Sequence, residues 1–175
     1  MKKNVFVYGL ISGICVTTLM ACSIAYCYSK GSFDGSMLVG YIAMILSFSV
    51  IFVGVKNYRD QVGGGIISFG KALRMSLLMA LISSTLYVVG WMIVYYTIFP
   101  DFIEKLAAYQ LSPAKTSQMS AAQVTAIRDQ MDMFRDWYST PLGVAGATYM
   151  EILPVGILVA LVTALVLKRK DRRIL

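Results

Sequence analysis

Four uninterrupted apolar blocks, at about 5–28, 37–55, 75–99 and 142–167, constrain this chain more than any other feature. A hydrocarbon core about 30 Å thick takes about 20 apolar residues to cross as a helix, and each block has that reach. Lipid offers the backbone no hydrogen bonds, so such segments must be helical or belong to a closed barrel. No alternation of apolar and polar residues supports the barrel. The expected fold class is therefore all-α: an integral membrane four-helix bundle, with 1–175 as a single membrane domain. With 58% hydrophobic and 14% charged residues, the composition lies well outside the soluble average.

The net charge of +7 invites a nucleic-acid reading, but its placement explains it differently. Lys2 and Lys3, then Lys56, Arg59, Lys71 and Arg74, then Lys168, Arg169, Lys170, Arg172 and Arg173 fall into three stretches whose only acids are Asp60 and Asp171. The other two, 29–36 and 100–141, hold five basic residues against six acidic ones. That alternation follows the positive-inside rule and predicts both termini in the cytoplasm, with 100–141 as an outer, periplasmic loop of a bacterial inner-membrane protein. No basic stripe with interleaved aromatics lies outside the apolar blocks, so nucleic acid is not expected as a partner.

The chain has three cysteines and no histidine. Cys15, Cys22 and Cys27 have no paired spacing, so no disulfide framework, metal site or cofactor is expected. Leu19-Met20-Ala21-Cys22 resembles a lipoprotein cleavage box. The apolar run continues past Cys22 to Tyr28, however, so an uncleaved first helix is the reading preferred here.

Small residues form a stripe on each block: Gly9, Gly13, Thr17, Ala21 and Ala25; Gly40, Ala43, Ser47 and Gly54; Ser76, Ala80 and Ser84; Gly156, Ala160 and Ala164. Such stripes let helix backbones approach closely in lipid. Aromatic residues gather at the outer boundary, namely Tyr26, Tyr28, Phe33, Tyr41, Tyr95, Tyr96, Phe99, Trp137 and Tyr138, as an interfacial belt would. The eleven methionines read as apolar filler.

Within the outer loop, Pro100 precedes a short helix over 101–110 with Phe102, Leu106 and Tyr109 on one side. Ser120 and Gln123 have capping-box spacing and open a second helix over 120–138, whose Val124, Ile127, Met131, Phe134 and Tyr138 share a face. The charges opposite read as a solvated face, and 111–119 with Ser112-Pro113 as a turn.

Gly65-Ile66-Ile67-Ser68-Phe69-Gly70-Lys71-Ala72 misses a nucleotide-binding loop by its final hydroxyl residue and by the absence of a preceding strand. Ser68 and Lys71 match serine–lysine dyad spacing. A helix cap at Ser68 and a membrane-edge lysine account for both. Gly63, Gly64 and Gly65 permit unusual dihedral angles beside the apolar Ile66-Ile67 pair, which suits a loop tucked into the bundle or a hinge.

Glu151 stands about 15 Å into the last block, one turn before Pro154. A carboxylate at that depth should face the bundle interior, be partly protonated or find a partner. It is either a proton- or cation-coupled site opened by a Pro154 kink, or a structural carboxyl hydrogen-bonded to Tyr95, Tyr96 or Tyr149.

The chain also resembles the bacterial membrane proteins grouped as domain of unknown function 4199, common in Bacteroidota. The likeness rests on Gly54-Val55-Lys56-Asn57-Tyr58-Arg59-Asp60, Gly64-Gly65-Ile66-Ile67-Ser68-Phe69-Gly70-Lys71-Ala72, Pro100-Asp101-Phe102 and Glu151-Ile152-Leu153-Pro154-Val155-Gly156. It covers essentially the whole chain and implies a four-helix inner-membrane protein without adding an activity. The sequence thus leads to a non-enzymatic packing or assembly component, associated with the bilayer and with itself or a larger complex. The alternative is a small oligomeric transporter or channel with Glu151 on a proton or cation route. No nucleophile and base fall together on one side of the membrane, so an enzyme is not expected. The small-molecule or ion ligand is not specified.

Overall fold

Helix is the only regular structure among the described residues, 1–34 and 36–169, of this computed structural model. The side chains of Ser36 and Met37 lie outside the description, as do Lys170, Asp171, Arg172 and Arg173 of the basic C-terminal cluster. Among the described residues seven helices follow in chain order: α1 (Lys2–Lys30), α2 (Ser36–Gln61), α3 (Phe69–Thr97), α4 (Phe102–Gln110), α5 (Pro113–Thr116), α6 (Ala121–Tyr138) and α7 (Pro141–Leu167). Of these, α1, α2, α3 and α7 are long and apolar enough to cross a membrane, as in a multi-pass membrane protein.

The end of α2 and the start of α3 run beyond the apolar blocks, because capping rather than hydropathy sets those boundaries. Ser68 accepts a hydrogen bond from the Lys71 amide at 3.4 Å, so α3 starts ahead of its apolar run and carries Lys71 and Arg74. At the end of α2 the Gly63 amide donates to the Tyr58 carbonyl and the Gly65 amide to the Arg59 carbonyl. Gly64 and Gly65 have φ of 62° and 82°, in the left-handed region where a side chain is strained. The loop then tucks Ile67 into the bundle, where it is buried, and the Arg169 amide donates to the Ile67 carbonyl at 2.9 Å. Both ends of α7 are thereby tied down, since Thr140 caps its start.

In the ring of spanning helices α1 lies between α2 and α3, and α7 closes the circle between α3 and α2. Burial of apolar side chains does not drive helices together in lipid, so association rests on close packing. Gly9 receives Ile82, Gly13 receives Ser83 and Leu86, and Thr17 in turn seats against Gly90, which joins α1 to α3. Tyr8 lies on Gly54 between α1 and α2, and Gly156 meets Ala80 and Phe48. Ser47, Ser76, Ser84, Ala160 and Ala164 are buried, and Ala21 packs on the core from its edge. Two small residues do not pack. Ala25 is exposed, and a side chain on Gly40 would meet open space, because α1 and α2 have separated by that level.

The bundle is accordingly asymmetric along its length. In the half that holds the chain's first residue, Phe48, Ile51, Val55, Ala72, Met75 and Met79 fill the centre, none of them with measurable exposure. The other half carries a cap. There α4 packs on α6, and α6 on α7. Val124, Ile127, Met131, Phe134 and Tyr138 are the inward residues of α6, the face given by its periodicity. Ile103 and Ala107, absent from the sequence expectation, are the buried pair of α4.

Polar links hold the cap. Arg135 makes a bidentate pair with Glu104 at 3.0 and 2.8 Å and also reaches Asp132 at 2.8 Å, so this part of the α6 polar face is a helix-to-helix clamp rather than merely solvated. Asp34, between α1 and α2, takes hydrogen bonds from Lys115 and Tyr109, and Tyr28 donates to Asp101 at 3.0 Å. The segment expected as a turn contains the one-turn helix α5, started by Pro113.

Candidate functional site

Beneath the cap the bundle is hollow. A cavity of about 480 Å³ is bounded by α1, α2, α3 and α7 and roofed by α4 and α6. The size falls in the range of sites for small organic ligands. Its wall is built by a change of residue size along α3. The stripe Ser76, Ala80 and Ser84 continues at helical spacing into Tyr87 and Trp91, so the same face is narrow and close-packed in one half and aromatic in the other. Tyr41 and Gly40 of α2, Leu19 and Ser23 of α1, and Trp137 and Tyr138 of α6 add to the lining.

Glu151 opens into this space from α7, with Thr148 one turn before it. Glu151 is exposed by surface area, so its carboxylate is not sealed inside the bundle. Among the described residues, no hydrogen bond or ion pair engages its carboxylate. None of the hydroxyls anticipated as its partners bonds to it among the described residues. Tyr149 pairs with Thr85 at 2.8 Å, Tyr95 stacks on Trp91 and Tyr138, and Tyr96 is exposed. Thr148 donates to its own helix at Val144, 2.7 Å away. The groups that surround Glu151 are Tyr87 and Tyr138, each close enough to feel its charge. Burial pushes the Tyr138 phenol up, and the negative charge of Glu151 adds to that.

Pro154 sits inside a helix that continues on both sides of it. Lacking an amide hydrogen, it leaves the Met150 carbonyl without its helical donor, one residue from Glu151 and on the cavity rim. Gly63, Gly64, Gly65, Ser68 and Lys71 lie at the opposite end of the bundle. Lys71 stands over the Tyr58 ring at 4.9 Å. Glu151 and the glycine loop are therefore separate features, one facing the hollow and the other closing the packed end.

Most aromatics read as a membrane belt turn inward instead. Tyr28 stacks on Phe99 at 4.1 Å, Trp91 meets Phe102 edge-on at 5.0 Å, and Phe33 and Tyr138 are part of the same cluster. Phe33 is buried where α4 and α6 fold over the bundle end, Tyr28, Phe99 and Tyr138 are partly buried, and Tyr26, Tyr96 and Trp137 stay exposed. The Trp91 indole donates to the Tyr138 hydroxyl at 3.2 Å, which fixes the roof to the wall.

A second, more open hollow of about 760 Å³ lies outside the first, between the end of α1 and the start of α2. Leu19 and Ser23 line both. The two spaces therefore adjoin where Gly40 leaves α1 and α2 apart. No group of three or more metal-ligating side chains occurs among the described residues.

The family model described as protein of unknown function (DUF4199) matches residues 7–169, nearly the whole of the spanning bundle and its cap. No curated protein and no solved structure matches the chain.

Proposed function

As the chain belongs to the DUF4199 family, which carries no assigned activity, we propose that it is a non-enzymatic membrane protein whose working part is the capped cavity, a site for a small solute with Glu151 as its ionisable group. The observation that carries this reading is the unpaired carboxylate facing a cavity of about 480 Å³. A charged group within a membrane segment is destabilising unless it is used or compensated, and among the described residues no protein partner compensates it. The basic residues at the packed end support an orientation with both termini in the cytoplasm, which places the cap on the periplasmic side of an inner membrane.

An assembly role rests on small-residue faces free for a partner. Gly9, Gly13, Gly54, Gly90 and Gly156 are instead filled by side chains of this same chain. The solute-binding reading, in which a transporter is one form, thus has the firmer support. The test is thermal unfolding of the purified protein in detergent against panels of neutral, anionic and cationic small organic molecules, for wild type and Gly40→Trp. A ligand held at a hundred times its Kd should stabilise the protein by about 2.7 kcal/mol, and filling the cavity at Gly40 should remove that response. A response that survives in Gly40→Trp, or none to any panel, contradicts the proposal.

A further inference from the structure

We propose that the solute is an organic monocation with an apolar body, held by Glu151 and by the aromatic wall around it. This rests on the solute-binding reading and narrows it to one chemical class. Among the described residues lining the cavity, Glu151 is the only Asp, Glu, Lys or Arg, so the one carboxyl group faces a space otherwise lined by apolar, aromatic and hydroxyl groups, and when ionised it has no cationic side chain beside it there. An anion would meet that carboxylate with no cation to offset it. A neutral solute would leave it uncompensated. A divalent metal ion is usually held by more than one carboxylate, and no group of three or more His, Cys, Asp or Glu side chains occurs among the described residues.

An organic cation carries its charge on a greasy surface and needs no such group. Five aromatic side chains complete what it does need: Tyr41, Tyr87, Trp91, Trp137 and Tyr138 all line the same cavity as Glu151. Aromatic faces attract a desolvated ammonium or phosphonium centre, most strongly where indole is present. The carboxylate supplies the opposite charge, and the rings supply both contact area and quadrupole attraction. Cation and proton are alternative partners of one carboxylate, and the other titratable groups facing the cavity are the phenols of Tyr41, Tyr87 and Tyr138.

The chain has two tryptophans, and both line the cavity, so its indole emission reports on this site. The experiment titrates the full chain in neutral-lipid nanodiscs with tetraphenylphosphonium and with tetraphenylborate, two ions of one shape and opposite charge. Phosphonium should change the emission saturably in wild type and in Glu151→Asp. Its affinity should fall by about tenfold or more in Glu151→Gln, which keeps the shape and loses the charge. Melting temperatures of the variants check that each is folded. Equal binding of borate, undiminished binding in Glu151→Gln, or no saturable response to phosphonium overturns the proposal. If the thermal panel responds to neutral or anionic compounds while phosphonium does not bind, the solute site stands and the cation assignment falls. Silence in both experiments removes both.

Discussion

Glu151 is the residue whose role could be posed from sequence but not resolved there. Its depth follows from counting along an apolar helix, whereas its surroundings depend on three other helices and on a cap distant in sequence. The distinction changes what its removal should do. A structural carboxyl bonded to a tyrosine would leave that partner stranded in Glu151→Leu, at about 1–3 kcal/mol. No such bond exists among the described residues, so Glu151→Leu and Glu151→Gln should both unfold in detergent within about 0.5 kcal/mol of wild type, or above it. A loss of the larger size in the leucine variant would restore the structural reading. Gly143 presents the opposite case, since its importance has no sequence signal. A Cβ there would lie 1.8 Å from the Trp137 carbonyl oxygen, where the backbone folds from α6 into α7, while Gly146 on the same helix faces open space. Gly143→Ala should therefore destabilise by about 1–3 kcal/mol, and Gly146→Ala should be neutral or stabilising. Chemical denaturation of the two single variants in one detergent checks the pair, and similar losses in both would contradict the contact.

Elements with local signals were legible. Ser68 and the Ser120–Gln123 box mark the starts of α3 and α6 because capping is settled within four residues. The clamp between α4 and α6 was not legible, because Glu104 and Arg135 are brought together only by the fold. The cap should consequently be the acid-sensitive part of the molecule. The hydrogen bond from Arg135 holds the Glu104 carboxyl below its ordinary range, and that from Lys115 does the same for Asp34. A carboxyl with a lowered folded-state pKa contributes stability that is present above the unfolded value and lost as pH falls through the folded one. The loss should thus begin as the solution becomes more acid than about pH 4 and deepen below it. The Lys115 and Arg135 partners, both shifted upward, remain charged throughout that window. Amide exchange, corrected for its intrinsic pH dependence, should show 102–138 losing protection in acid while 72–90 keeps it. Uniform protection down to about pH 3 would show that these pairs do not hold the cap.

At the scale of the whole molecule, the four spanning helices were readable because lipid imposes length and composition on each one separately. The cavity was not readable, since it exists only where α1 and α2 part and a size change along α3 widens the centre. The charge pattern underlies the orientation proposed for the bundle. With Cys15, Cys22 and Cys27 replaced, a cysteine at Ser117 should react with an impermeant thiol reagent in cells stripped of their outer barrier, and one at Asn57 should not; the reverse pattern would invert the proposed orientation. The role proposed for Glu151 requires a cavity that water and small ions can reach, carrying an uncompensated carboxylate. Ala147 lines that cavity, whereas Ala160, further along the same helix, is fully buried in the packed half. The most direct measurement is the rate at which single cysteines at these two positions react with small thiosulfonates of positive and negative charge in proteoliposomes. Ala147→Cys should react, faster with the cationic reagent, and that preference should disappear when Glu151→Gln is added, while Ala160→Cys stays inert. An unreactive Ala147→Cys, or a charge preference indifferent to Glu151, would contradict the account.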